Sequence, residues 1–219
     1  MFEPAIIEMI GKGFIDTLYM TLVSSALAYL LGLPLGVILA VTDKNGLKPR
    51  TWLNSILGVI INLLRSVPFL ILCVAVIPVT RFITGTSLGP TATIVPLVIG
   101  AAPFIARMVE SSLKEVDKGV IEAAQSMGAS PFEVIWKVLL PEARPSLILG
   151  AAISVTTILG YSAMTGFIGG GGLGDIAIRY GYYRYQTDIM LVTVAFLVII
   201  VQVLQEIGLR LARLSDKRK

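Results

Sequence analysis

Few residues in this chain are suited to acid–base, nucleophilic or metal chemistry, and those few are not grouped for it. There is no histidine and only one cysteine, Cys73. His-based triads, His–metal sites, thiolate zinc clusters and an internal disulfide framework are therefore excluded. The long apolar stretches hold no paired acids, and one cation, Arg65, stands alone inside one of them. Gly169-Gly-Gly-Gly-Leu-Gly174 formally matches the G-x-G-x-x-G dinucleotide pattern, which has meaning only between a strand and a helix of a βαβ unit. Here it follows an apolar run, so a flexible re-entry or a tight turn is the better reading. The patterned chemistry lies between Arg107 and Ser146, in Glu122-Ala-Ala-Gln-Ser-Met-Gly128 and Ser130-Pro-Phe-Glu133.

That segment predicts two short helices joined by a tight bend. Asp117 is placed to cap a helix start, because its carboxylate can accept from orphan backbone N–H groups two or three residues on. Val120, Ala123, Ala124 and Met127 then fall on one face, and Gly128 stands where a helix ends in the left-handed conformation. Ser130-Pro-Phe-Glu133 is a capping box with proline at the first helical position. Phe132, Ile135, Trp136 and Leu139 form the next apolar face, which Pro141 closes. Two readings fit this pattern: an amphipathic hairpin resting on a membrane surface, or a ball that docks in a socket on a cytoplasmic partner and pushes on the elements at its ends.

The elements that must carry this loop are apolar. Of 219 residues, 55% are apolar and 15% charged, with a mean hydropathy of +0.84. A soluble domain has about 25% charged residues. The chain is read as an integral membrane protein, all-α, a single domain over 1–219. Five spans are predicted at approximately 17–41, 54–79, 91–109, 147–167 and 189–208, with the loop at 115–141, since a helix needs ~20 apolar residues to cross. Glu3, Glu8 and Lys12 do not make the basic start of a cleaved signal, so the first span is expected to stay in the mature chain.

Lysine and arginine set the orientation. Three basic residues lie in 42–53, five in 107–146 and five from Arg210 to Lys219, against four (Lys12, Arg81, Arg179, Arg184) on the opposite side. The positive-inside rule puts the first group in the cytoplasm, with the N-terminus outside and the C-terminus inside. The tail reads as an anchor to anionic lipid. The net charge of +4 does not imply nucleic acid, because the basic residues fall in gaps between apolar runs and not beside aromatics. Arg65 either reaches the cytoplasmic interface just before Pro68, or serves the transport route or a contact with another chain.

Glu122, Ala123, Ala124 and Gly128, followed by Leu140 and Pro141, resemble the EAA loop of ABC-transporter permease subunits of the binding-protein-dependent, type I importer class. Arg65-Ser-Val-Pro68-Phe, Pro96–Glu110, Gly160-Tyr-Ser-Ala-Met164 and the Gly169–Gly174 run are similar to the methionine branch of that family. The resemblance implies a permease subunit for L- or D-methionine, not itself an enzyme, in a bacterial inner membrane. It implies that two copies of this chain form the pathway and that two cytoplasmic ATPase subunits dock on Glu122, Ala123, Ala124, Gly128, Leu140 and Pro141. An extracytoplasmic binding protein would deliver substrate. ATP and Mg would be bound by the ATPase; this chain needs no cofactor and has no G-x-x-x-x-G-K-[ST]. Tyr161, Ser162 and Met164 are candidates for an outer gate, with plain interhelical packing the competing reading. A permease for another amino acid is the alternative. An ion-coupled carrier is disfavoured because four of the five spans lack ionisable groups, and an intramembrane enzyme lacks paired acids or a nucleophile with a base.

Overall fold

A computed structural model describes residues 3–215. Every regular element among them is helical: α1 (Pro4–Thr42), α2 (Thr51–Ser66), α3 (Phe69–Ala75), α4 (Ile77–Thr84), α5 (Pro90–Lys114), α6 (Lys118–Ser126), α7 (Pro131–Val134), α8 (Leu140–Glu142), α9 (Arg144–Met164), α10 (Gly172–Ile176) and α11 (Thr187–Ser215). A π-helical turn at Ile135–Leu139 joins α7 to α8, a 3-10 turn at Thr165–Ile168 ends α9, and a second π-helical turn, Ala177–Tyr182, follows α10. Four helices are long and apolar enough to cross a membrane: Pro4–Thr42, Pro90–Lys114, Arg144–Tyr182 with its bent end, and Thr187–Ser215. A fifth counts only if α2 and α3, which meet at 100°, are taken as one broken span.

Two sequence expectations are corrected. The first helix begins at Pro4, not near Thr17, because Ile6, Ile10 and Phe14 give the preceding residues an apolar face that packs in the core. The 54–79 stretch is not one helix. Pro68 has no N–H to give and drives Val67 out of the helical region, so the chain turns sharply there. At the basic end of the chain α11 runs on to Ser215: Arg210 and Arg213 lie on it, and Arg210 Nε donates to Glu206 Oε1 at 2.6 Å. Lys217, Arg218 and Lys219 lie outside the described residues.

The chain divides into two compact units. The first comprises residues up to Ala28, Val67–Ala101 and Ser154–Gln205. Its core is Ile10, Leu159, Leu173 and Ile200, with Phe14 and Leu18 against it. The glycine run is a tight turn in this unit: Gly169, Gly171 and Gly172 have φ of +76°, +83° and +76°, which glycine reaches without strain. The turn is also held down. Gly89 N donates to Gly169 O (2.9 Å), Thr93 Oγ1 to Gly170 O (3.2 Å) and Leu173 N to Thr17 Oγ1 (2.8 Å).

The second unit comprises Tyr29–Ser66, Ala102–Ile153 and the chain from Glu206. Leu39, Ile61 and Ala106 form a core flanked by Leu35 and Leu57, and bring α1, α2 and α5 together. Gly32 and Gly36 let α1 lie against α5: a Cβ on Gly36 would come within 2.6 Å of Ala106 O. Small residues at this spacing permit close backbone approach in membrane helices. Asn54 Nδ2 donates to Leu39 O at 2.7 Å and Thr42 Oγ1 at 3.3 Å, so its amide is satisfied against α1.

Candidate functional site

The loop between α5 and α9 is built as its local sequence dictates. Asp117 Oδ1 accepts from Gly119 N at 2.6 Å and starts α6. Gly128 ends it at φ +83°. Gly128 N donates to Gln125 O (2.9 Å) and Ala129 N to Ala124 O (3.1 Å), the two-bond pattern of a Schellman closure. Ser130 Oγ accepts from Glu133 N while Glu133 Oε2 accepts from Ser130 N at 3.0 Å, closing the capping box of α7. Pro141 does not close this helix, as the sequence suggested. A π-helical turn, with Leu140 N donating to Ile135 O, brings the helix up to the proline, and α8 continues beyond it.

Burial divides the expected apolar faces. Ala124, Val134 and Leu139 point inward, whereas Met127 is 83% exposed, Phe132 72% and Trp136 64%. Ala123 and Val120 are exposed too, so of the apolar face read for α6 only Ala124 turns to the core and the rest is open, as either a lipid surface or a docking partner requires. The rings of Phe132 and Trp136 run parallel, with centroids 6.5 Å apart. Grouped exposed apolar side chains of this size mark an interaction surface. Glu122 and Gly128 are exposed beside them, Leu140 is half-buried and Pro141 exposed. Glu122 also lines a cavity of about 360 Å³ that reaches to Asp43, Lys114, Gln125 and Leu139.

The electrostatics of the loop are local. The Ser130 backbone N–H, the Lys137 ammonium and the Ser130 hydroxyl push the Glu133 carboxyl down to about 2. A carboxyl depressed on folding contributes stability above its unfolded value, about 4.3, and loses it as pH falls through the folded one. Amide protection over residues 133–135 is therefore expected to stay level down to about pH 4.3 and to fall from there towards about pH 2. Glu133→Gln should remove that dependence in hydrogen exchange measured across the range. The Lys114 ammonium likewise holds the Asp43 carboxyl below the usual carboxylate range.

The other candidates lie apart from the loop positions in sequence, and the structure places each in its own setting. In the first unit, the Tyr161 ring stacks on Phe69 with centroids 4.1 Å apart. Ser162 is buried and its hydroxyl donates to Leu159 O at 2.8 Å, while Met164 is 47% exposed. In the second unit, Arg65 is exposed on the last turn of α2, where a cation complements the negative helix end. Sequence reasoning missed a chain of charges on α5. Glu110 is buried and holds Arg107 Nη1 at 2.7 Å and Lys114 Nζ at 2.8 Å. Their spacing at three and four residues was the available signal. No three carboxylate or thiol groups converge as a metal site among the described residues.

A family model described as the binding-protein-dependent transport system inner membrane component matches residues 32–219. The chain is 55% identical over 203 residues to the probable D-methionine transport system permease protein MetI of Vibrio cholerae, covering 93% of this chain and 90% of that one. It is 46% identical over 181 residues to the methionine import system permease protein MetP of Bacillus subtilis, covering 83% and 82%. Among solved structures, a chain of the MetNI methionine ABC transporter in an inward-facing conformation superposes with a TM-score of 0.97 at 45% identity, covering 99% of this chain and 100% of that one. A chain of an amino acid ABC transporter crystallised with histidines shares the fold alone, with a TM-score of 0.72 at 20% identity over 97% of this chain and 99% of that one.

Proposed function

Because this chain belongs to the family of binding-protein-dependent transport system inner membrane components, we propose that it is the permease subunit of an ATP-driven importer for L- or D-methionine. The full-length likeness to a chain of the methionine ABC transporter carries this reading, and the names of the similar permeases supply the substrate. The protein is a multi-pass component of the inner membrane, and transport, not catalysis, is its role.

In this reading one transmembrane domain spans 1–219, and the bent pair α2–α3 serves as the fifth span. The N-terminus is outside and the C-terminus inside, as the basic residues favour. Two copies form the pathway, lipid surrounds them, and a binding protein delivers substrate from outside. Two ATPase subunits, which bind ATP and Mg, receive the 115–141 loop. Glu122, Ala123 and Gly128 shape its contact face, the buried Ala124 packs behind them, and Leu140 and Pro141 end it. The exposed Met127, Phe132 and Trp136 supply the apolar side chains of the docking face. Met164, exposed at the end of α9, is assigned to the outer gate, with Tyr161 and Ser162 bracing it and Arg65 at the break in the second span.

The test is purification of the tagged chain from native membranes in mild detergent, followed by reconstitution. The expected result is a co-purifying ATPase in equal copy number and methionine uptake that requires ATP. An ATPase-free oligomer whose uptake follows an ion gradient overturns the proposal.

A further inference from the structure

We propose that Glu110 is a positioning residue for coupling: it locks the end of α5, from which the docking loop hangs, to α2 and to the segment after α1. The proposal rests on the transport reading above and adds a residue outside the loop motif. The Glu110 side chain is 8% exposed, and each of its oxygens holds a different cation. Both cations reach onward. Arg107 Nη2 donates to Gly58 O and Asn62 Oδ1 on α2, each at 3.1 Å. Lys114 Nζ lies 2.6 Å from Asp43 Oδ2, just past the end of α1. At the same end of α5, Ser146 Oγ is 2.9 Å from Ser112 Oγ and 3.0 Å from Glu115 Oε2, which ties the return of the loop at α9 to its departure.

The arrangement differs from a solvated ion pair, whose contribution to stability is small. A buried carboxylate shared by two cations leaves uncompensated charge if it is neutralised, so the geometry tolerates few alternatives. Adhesion alone is already supplied by the apolar contacts of Leu39, Ile61 and Ala106. What the charges add is direction, since each bond fixes a distance between the end of α5 and a different neighbour. A push on α6 reaches α5 through only Glu115, Val116 and Asp117, and the ladder passes it to α2 and α1. Arg107 Nε is buried with no partner among the described residues, so this arrangement leaves a donor unmet. That leaves room for a second arrangement in which the guanidinium is better satisfied.

The experiment uses the complete transporter in lipid vesicles and reads methionine moved per ATP hydrolysed. Glu110→Gln keeps shape and one acceptor but removes the charge. The expected result is unchanged assembly with the ATPase, hydrolysis within about twofold of wild type, and a fall of about tenfold in methionine moved per ATP, within the range of coupling between sites. A transport-to-hydrolysis ratio unchanged in Glu110→Gln overturns the proposal, because a purely structural loss would lower the amount of complex and not its stoichiometry. If Glu110→Gln fails to accumulate, Asp43→Asn at the exposed end of the ladder decides. A fall of about fivefold supports the proposal, and an unchanged ratio overturns it. Failure of the wild-type complex to show ATP-driven uptake would instead remove the transport reading itself, and is seen before any variant is made.

Discussion

Gly128→Val is expected to abolish most ATP-driven uptake while leaving the chain inserted in the membrane at its normal level. The cause is backbone, not space. A Cβ at Gly128 would meet nothing within 4 Å, yet the residue sits at φ +83°. Left-handed backbone costs an L-residue roughly 1–2 kcal/mol, and more for a β-branched one. Escaping that strain means giving up the two closing bonds, from Gly128 N to Gln125 O and from Ala129 N to Ala124 O. The bend then opens, and α6 no longer holds a fixed angle to the Phe132 and Trp136 pair. A loss of about 1.4 kcal/mol or more in docking is tenfold in affinity. Gly128→Asn, whose side chain tolerates this region, should retain most activity. Uptake per inserted chain, together with ATPase co-purification, reads both, and wild-type uptake by Gly128→Val would refute the role of the bend.

The largest expected effect on stability is at Gly36→Val. A Cβ there would lie 2.6 Å from both Ala106 O and Val109 Cβ, and one at Gly32 would lie 2.9 Å from Ala102 O. The obstructing atoms include the backbone of α5, so no rotamer change relieves them. Overpacking costs about 1–3 kcal/mol, occasionally more, and a chain of this size loses roughly 2–4 °C per kcal/mol. A fall of about 5 °C or more in the thermal midpoint of the detergent-solubilised chain is therefore expected, with lower accumulation. Gly11→Ala, also on α1 but with nothing within 4 Å of its Cβ, should cause no fall. Equal midpoints for Gly36→Val and wild type would show that α1 and α5 do not approach this closely.

What the sequence disclosed and what it hid follow from the range of the forces involved. Asp117, Gly128 and the Ser130–Glu133 box act over two to five residues, and their hydrogen bonds form as read. Long apolar runs announce helices as clearly, because burial of the backbone in lipid leaves few alternatives. Boundaries were harder. Ile6, Ile10 and Phe14 opposite Glu8, Lys12 and Asp16 already carry a helical stripe, but the charges read as an end to the span. The 54–79 run gave no sign of the 100° break at Pro68, since angle depends on what the neighbours pack. In the loop the exposed Phe132 and Trp136 are as apolar as the buried Val134 and Leu139, so the sequence did not separate them. Periodicity cannot tell a side chain bound for the core from one kept for a partner. Asp43 and Lys114 are joined only by the fold, so their pairing had no local signature.

The clamp of Ser146 on Ser112 and Glu115 bears on how such a chain diverges. With departure and return fixed to each other, the residues between form a closed excursion whose tip packs little against the body. Met127, Phe132 and Trp136 therefore carry almost no folding burden, and substitutions there alter recognition before they alter stability. Mutations on the matching surface of an ATPase can be answered at these three positions one at a time. Two transporters descended from one ancestor can thus lose mutual recognition by drift at the tip alone, while the frame that receives the push stays as it was.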